Sequence, residues 1–381
     1  MKFRTRSIHV GNEPDPQTGA VVPPIYLATT FIQPGVGEWG EFDYSRSGSP
    51  TRKNVETTVA SLESGNHALL FASGMAATHC VTMLLKQGDH IVANRDLYGG
   101  SYRLLHRICD RSGIEVTLVD VTDLQQVQNA FRANTKLLWI ETIGNPLMSI
   151  PDIKRCAEIA HNHKALLGVD NTFASPVLCR PLELGADIVM HSATKYLGGH
   201  SDCLVGALIT ADEELHKKLY FIQNACGSAV GPLEAYLLGR GIKTLDIRMR
   251  EQCRSAVKVA EFLKNHSSVE RVLYPGLHGH PGHQLAATQF SNLFGTMMSF
   301  EIHGDVEATK RVCKSTKLFG LAVSLGAVES LIAHPATMSH ASYAPEARAA
   351  AGISDRLIRL SVGLEDVEDL IDDLSTALSA I

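Results

Sequence analysis

The chain has 381 residues, 45% of them hydrophobic and 20% charged, enough to bury a large core spread over two or three structural regions. Its formal net charge of -5 supplies no basic field for nucleic acid, and no apolar run is long enough to span a bilayer. Nucleic acid and membrane are therefore not expected as partners, and a small-molecule ligand is.

The first residues, MKFRTRSIHVGNEPDP, are basic without an apolar stretch or a small-residue cleavage site, so a cytoplasmic location is expected. Residues 1–50 continue through PDPQTGAVVPP and GVGEWGEFDYSRSGSPTR, too irregular for core elements, and read as an arm. Residues 51–243 alternate short apolar runs with amphipathic segments, which predicts a mostly parallel sheet with helices on both faces. Strands are expected at HALLFA, DHIVAN, EVTLVD, KLLWIET, ALLGVDN, DIVMHS and LVGALIT, with helices such as MAATHCVTMLLKQ and IKRCAEIAHNHK between them. Residues 244–381 begin with the helical LDIRMREQCRSAVKVAEFLKNH, pass through MMSFEI and close on a helix from about Glu365, a pattern that suits a smaller C-terminal α+β domain. The 8 cysteines lack metal-ligand spacing and suit buried free thiols.

In an open α/β fold, ligands bind at the carboxyl ends of the strands. There LLFASGMAAT runs a strand into Ser73 and Gly74 and then a helix, so the amides of Gly74 and Met75 serve either as a simple cap or as a seat for a phosphate. LLGVDNTF ends a strand on Asp170, which is either a turn cap or a buried acid awaiting a cation such as a protonated pyridine nitrogen. One strand later, DIVMHSATKYLGGHSD places Lys195 between an apolar run and a glycine turn, beside Ser192 and Thr194. An amine there forms a Schiff base with a ring aldehyde, and the two hydroxyls join the phosphate seat. Taken together, these residues describe a site for pyridoxal 5'-phosphate.

The stretches YSRSGSPTR, FASGMAAT, DLYGGSYR, VDNTFASP, HSATKYLGGHSD and LIRLSVGLED resemble the Cys/Met metabolism enzymes, the transsulfuration branch of fold-type I PLP-dependent enzymes, over essentially the whole chain. The resemblance implies that Lys195 carries the cofactor and moves protons, Asp170 holds the pyridine nitrogen and Tyr98 stacks on the ring. It also implies that Gly74, Met75, Ser192 and Thr194 bind the phosphate. Tyr44 and Arg46 of the arm would reach into the neighbouring subunit's site, in a homotetramer built as a dimer of dimers. Arg359, whose planar fork suits a carboxylate, would bind the substrate, aided by Asn145 and Ser324. Tyr98 would also act as acid or base for the amine and the leaving group.

Small sulfur amino acids follow as substrates, and HPATMSHASYAPEARAAAGISDRLIRLSVGLEDVEDL looks most like cystathionine γ-synthases and γ-lyases. Two departures bear on this. Gly100 stands where methionine γ-lyases carry cysteine. Val323 stands where many γ-synthases and γ-lyases carry a glutamate that would attract a distal ammonium, which keeps a β-lyase open. Ser49, Ile143 and Gly144 also depart from the family pattern, and altered loop contacts near the substrate are expected from them. His278, His280 and His283 of HGHPGH lie in a Pro/Gly loop without an accompanying acid or cysteine, and His334 with His340 makes no more convincing a site, so no metal is expected.

Overall fold

In a computed structural model that describes residues 1–379, seven strands build one large sheet. They are β1 (His67–Phe71), β2 (His90–Asn94), β3 (Glu115–Val119), β4 (Thr135–Glu141), β5 (Leu166–Asp170), β6 (Ile188–Ser192) and β7 (Gly206–Thr210). Their order is β1-β7-β6-β5-β4-β2-β3. Pairing is parallel from β6 through β3, and β7 runs antiparallel to both β6 and β1. Each strand lies within a stretch expected from its apolar run, except β4, which starts and ends one residue earlier than KLLWIET. The central strands β2, β5 and β6 are buried almost throughout, because helices cover both faces and leave no solvated side to alternate with.

The helix beginning at Gly74 is shorter than its apolar pattern suggested. It ends at Thr82, and the chain turns at Gly88, φ 85°, where Asp89 accepts the Lys86 amide at 2.9 Å. The arm also differs from its reading as wholly irregular. Phe3–His9 is a helix that packs against the helices Pro50–Leu62 and Leu245–Asn265 of its own subunit. Seven residues cannot hold a helix by themselves in water, so docking, with Ser7 buried, is what stabilises it. Beyond it the arm is open: Leu27, Ile32, Val36 and Trp39 are all exposed.

A second sheet of five strands, in the order β10-β11-β12-β9-β8, joins β8 (Val269–Leu273), β9 (Met297–Ile302), β10 (Gly320–Leu321), β11 (Leu331–Ala333) and β12 (Leu357–Ser361). The 21-residue helix Leu245–Asn265 ties the two sheets together. Leu245, Met249 and Cys253 pack into the core of the large sheet, and Ala256, Val259, Ala260 and Leu263 pack into the core of the small one. All eight cysteines are free and only Cys226 is exposed. No described helix is long and apolar enough to cross a membrane.

Candidate active site

β1, β2, β4, β5 and β6 all point their carboxyl ends to the same edge of the large sheet, and the segments that leave them line a cavity of about 530 Å³. After β1, Ser73 caps the helix Gly74–Thr82 by accepting the Ala76 amide at 3.1 Å. The amides of Gly74 and Met75 precede the helical hydrogen-bond ladder and are free for an anion. A Cβ at Gly74 would lie 2.9 Å from the Ser192 Cβ, so only glycine lets the first helical turn close onto the end of β6. Ser192 and Thr194 both line the cavity. The Thr194 hydroxyl is already engaged with the residue just before β7, donating to the Val205 carbonyl at 3.2 Å and accepting its amide at 3.0 Å.

Asp170 ends β5 with its carboxylate buried. Its Oδ1 accepts the Thr172 amide at 3.0 Å and the Thr172 hydroxyl at 2.5 Å, and that same hydroxyl accepts the Ser192 amide at 2.9 Å. Thr172 thereby links the ring seat to the phosphate seat. Burial raises the Asp170 pKa, against the lowering by its Thr172 hydrogen bonds and by His191. Glu141, at the paired position on β4, accepts the Tyr98 amide at 2.6 Å. Its pKa is raised well above the usual carboxylate range, first by burial and then by the Asp170 charge. Two buried acids side by side, with no Lys or Arg of the described residues pairing with Asp170, fit a site that receives a cation at Asp170 from a bound molecule.

Lys195 sits in the turn after β6, its Nζ donating to the Ser324 hydroxyl at 2.6 Å. Burial, and then the charge of Arg359, lowers its pKa to about 8. Ser324 adopts φ 105°, a strained value for a residue with a side chain and one that persists only where its surroundings impose it. Arg359, on β12 of the small sheet, donates to Asn145 Oδ1 at 2.9 Å and to the Ser324 carbonyl at 3.1 Å; burial lowers its pKa to about 10. The lysine, the guanidinium and the strained serine thus form one connected group, drawn from both domains. Val323, beside Ser324, lies 62% exposed at the cavity wall.

Tyr98, half exposed, lines the same cavity at the start of the helix Gly99–Arg103. A Cβ at Gly100 would meet the Tyr98 ring at 2.3 Å, so any side chain there displaces the ring. Sequence reasoning missed Glu141, Thr172 and Arg103, all of which line the cavity. It also missed the C-terminal loop that pins the Tyr98 segment: the Tyr343 hydroxyl donates to the Leu97 carbonyl at 3.1 Å, and His340 Nε2 meets the Asn145 carbonyl at 2.9 Å. Tyr44 and Arg46 are not among the residues lining this cavity. Arg46 stacks over Tyr44 and donates to the Asn224 carbonyl at 2.7 Å. Among the described residues no group of three His, Cys, Asp or Glu side chains is placed to hold a metal ion. His283 Nδ1 meets the Pro275 carbonyl at 2.8 Å instead.

Comparison with known proteins identifies the family. The profile described as Cys/Met metabolism PLP-dependent enzyme matches residues 4–379. A cystathionine γ-lyase of Bacillus subtilis is 50% identical over 381 residues, covering 100% of both chains. A cystathionine β-lyase of Coxiella burnetii is 49% identical, covering 98% of this chain and 97% of its own. The crystal structure of a cystathionine γ-synthase from Xanthomonas oryzae pv. oryzae in complex with cystathionine superposes with a TM-score of 0.97 at 44% identity, covering 100% of this chain and 98% of the other.

Proposed function

This chain belongs to the Cys/Met metabolism PLP-dependent enzyme family, and on that premise we propose that it makes or cleaves the Cγ–S bond of cystathionine with Lys195 as the proton-transferring base. It is a PLP-dependent transsulfuration enzyme; the γ assignment is our reading. The observation that carries it is the convergence of Lys195, Ser324, Arg359 and Asn145 on one cavity beside Asp170.

When bound, pyridoxal 5'-phosphate supplies a conjugated ring that takes up the electron pair left as the substrate Cα–H bond breaks. Gly74, Met75 and Ser192 would hold its phosphate, Asp170 its ring nitrogen, and Tyr98 one ring face. Thr194 would join only by giving up its bond to Val205. Arg359 and Asn145 would take the substrate α-carboxylate in a two-pronged contact and so aim Cα at Lys195. With a pKa of about 8, Lys195 has an appreciable neutral fraction at neutral pH, which a base needs. Ser324 holds that amine in place by its hydroxyl. A γ reaction asks the same amine, once it has handed on the first proton, to remove a second, from Cβ, before sulfur leaves Cγ. Tyr98 would protonate the departing thiolate.

A second reading, β-lyase chemistry, draws on Val323: the wall that would face a distal ammonium presents an isopropyl group and no carboxylate. Supplying L-cystathionine to the PLP-loaded enzyme separates the two. 2-Oxobutyrate with cysteine marks γ-elimination, and pyruvate with homocysteine marks β-elimination. If neither forms, an activated homoserine ester with cysteine should yield cystathionine, which marks the synthase.

The arm supports a shared site in an oligomer. Ile32 and Val36 are wholly exposed and Trp39 is 74% exposed, more apolar surface than an isolated arm tolerates, and Tyr44 and Arg46 stand away from their own cavity. A homotetramer built as a dimer of dimers would bring them into the neighbouring site. Eight unpaired thiols accord with a cytoplasmic enzyme.

A further inference from the structure

Behind Asp170, on the side away from the cavity, lies a polar pair that the mechanism above does not use. Glu63, at the end of the helix Pro50–Leu62, and His191, on β6, are both 0% exposed. His191 Nε2 donates to Glu63 Oε1 at 2.5 Å. The same oxygen accepts Asn171 Nδ2 at 2.8 Å, and Asn171 directly follows Asp170. Asn171 also donates to the Cys179 carbonyl at 2.9 Å and accepts the Thr142 hydroxyl at 2.8 Å. Glu63 Oε2 and His191 Nδ1 are buried without partners. Such groups are costly inside a protein core, and apolar residues of similar volume would fill the space at least as well. Packing therefore does not account for an acid and an imidazole at this place.

We propose that Glu63 and His191 are positioning residues for Asp170: through Asn171 they fix the end of β5 and so aim the Asp170 carboxylate at the ring nitrogen of the cofactor. Two observations tie this geometry to the chemistry of Asp170. Glu141, at the paired position of the next strand, is an acid whose pKa the Asp170 charge raises, so the aim of the Asp170 carboxylate matters to both groups. His191 acts on Asp170 in the opposite sense, lowering its pKa. The other titratable groups near the pair are the Cys179 thiol, raised by burial and then by Glu63, and Arg180, which pairs with Glu183 and also interacts with Glu63 and Cys179. Neither replaces a cation at Asp170.

The inference rests on Asp170 holding the ring nitrogen, and the test separates the two ideas. Apoprotein is dialysed against PLP and against 1-deazapyridoxal 5'-phosphate, in which C–H replaces the ring nitrogen. The wild type should bind PLP at least tenfold more tightly than the analogue. In His191→Gln and Glu63→Gln, PLP binding should weaken about tenfold with the analogue unchanged, so that the preference collapses. The visible absorbance of the lysine-bound cofactor should shift in the variants, and kcat for L-cystathionine should fall with KM held. Equal weakening toward both molecules would mean a purely structural pair and would overturn the proposal. A wild type that does not discriminate would overturn the Asp170 role as well. Glu63→Gln keeps an acceptor for the His191 N–H, so it provides the comparison if His191→Gln does not fold.

Discussion

Lys195 makes the apoprotein less stable than it need be, and the size of that deficit follows from its surroundings. An amine with an ordinary pKa of 10.5 is held at about 8 in the native state by burial and by the charge of Arg359. Below pH 8 the lysine is charged in both the folded and unfolded states, and the folded state carries the whole desolvation cost. At about 1.4 kcal/mol per pH unit this amounts to about 3 kcal/mol. Above pH 10.5 the amine is neutral in both states and the cost vanishes, so the apoprotein should gain stability from this group as pH rises from 8 to 10.5. Lys195→Met keeps the stem and removes the charge, but forfeits the hydrogen bond to Ser324, which costs about 1 kcal/mol. The apo variant should therefore be about 2 kcal/mol more stable than wild-type apoprotein at pH 7, and no more stable at pH 10.5. Urea unfolding of both proteins at one fixed concentration and at the two pH values measures this. A variant as unstable as the wild type at pH 7, or a difference that does not change with pH, would refute the reasoning from burial.

Arg359→Lys replaces a planar fork with a point charge, so the contacts to Asn145 and Ser324 and the two-pronged carboxylate contact are lost; kcat/KM for L-cystathionine should fall by about 2–4 kcal/mol, on the order of 30- to 1000-fold. Binding of glycine should weaken with it and binding of a simple alkylamine should not; parallel losses would refute a carboxylate role. Val323→Glu introduces an acid on an exposed wall, worth at most about 1 kcal/mol, so the KM for L-cystathionine should drop about fivefold and the share of 2-oxobutyrate should rise; unchanged products would remove this position from the specificity argument. Mixing Lys195→Ala and Arg46→Ala subunits should restore about a quarter of wild-type activity if each site takes Lys195 from one chain and Arg46 from another. No recovery would place Arg46 in its own subunit's site, or outside any site.

Much of the site was legible because its signals are local. An apolar run ending in Ser73 and Gly74 before a helix, a strand closing on Asp170, and a lysine after the strand Ile188–Ser192 need only a few consecutive residues to be read. The same run-and-turn pattern gave the strands of the large sheet. The helix Phe3–His9 was not legible, since so short a segment becomes helical only by docking on residues far along the chain.

Other features have no local signal at all. Glu141 reads only as part of the strand KLLWIET, and only the order of strands in the sheet sets it beside Asp170 and raises its pKa. Glu63 and His191 are 128 positions apart, and nothing near either one announces the other. The strained φ of Ser324, the anchoring of the Tyr98 segment by Tyr343 and His340, and the lowered pKa of Lys195 all arise where the two domains meet. Residue types and their spacing in the sequence pointed to the cofactor, to Lys195 as the candidate that would carry it, and to the order of the strands along the chain. Tertiary structure alone decided the charge states and the aim of those groups, because desolvation and Coulomb interaction depend on neighbours in space, and chain order does not supply those neighbours.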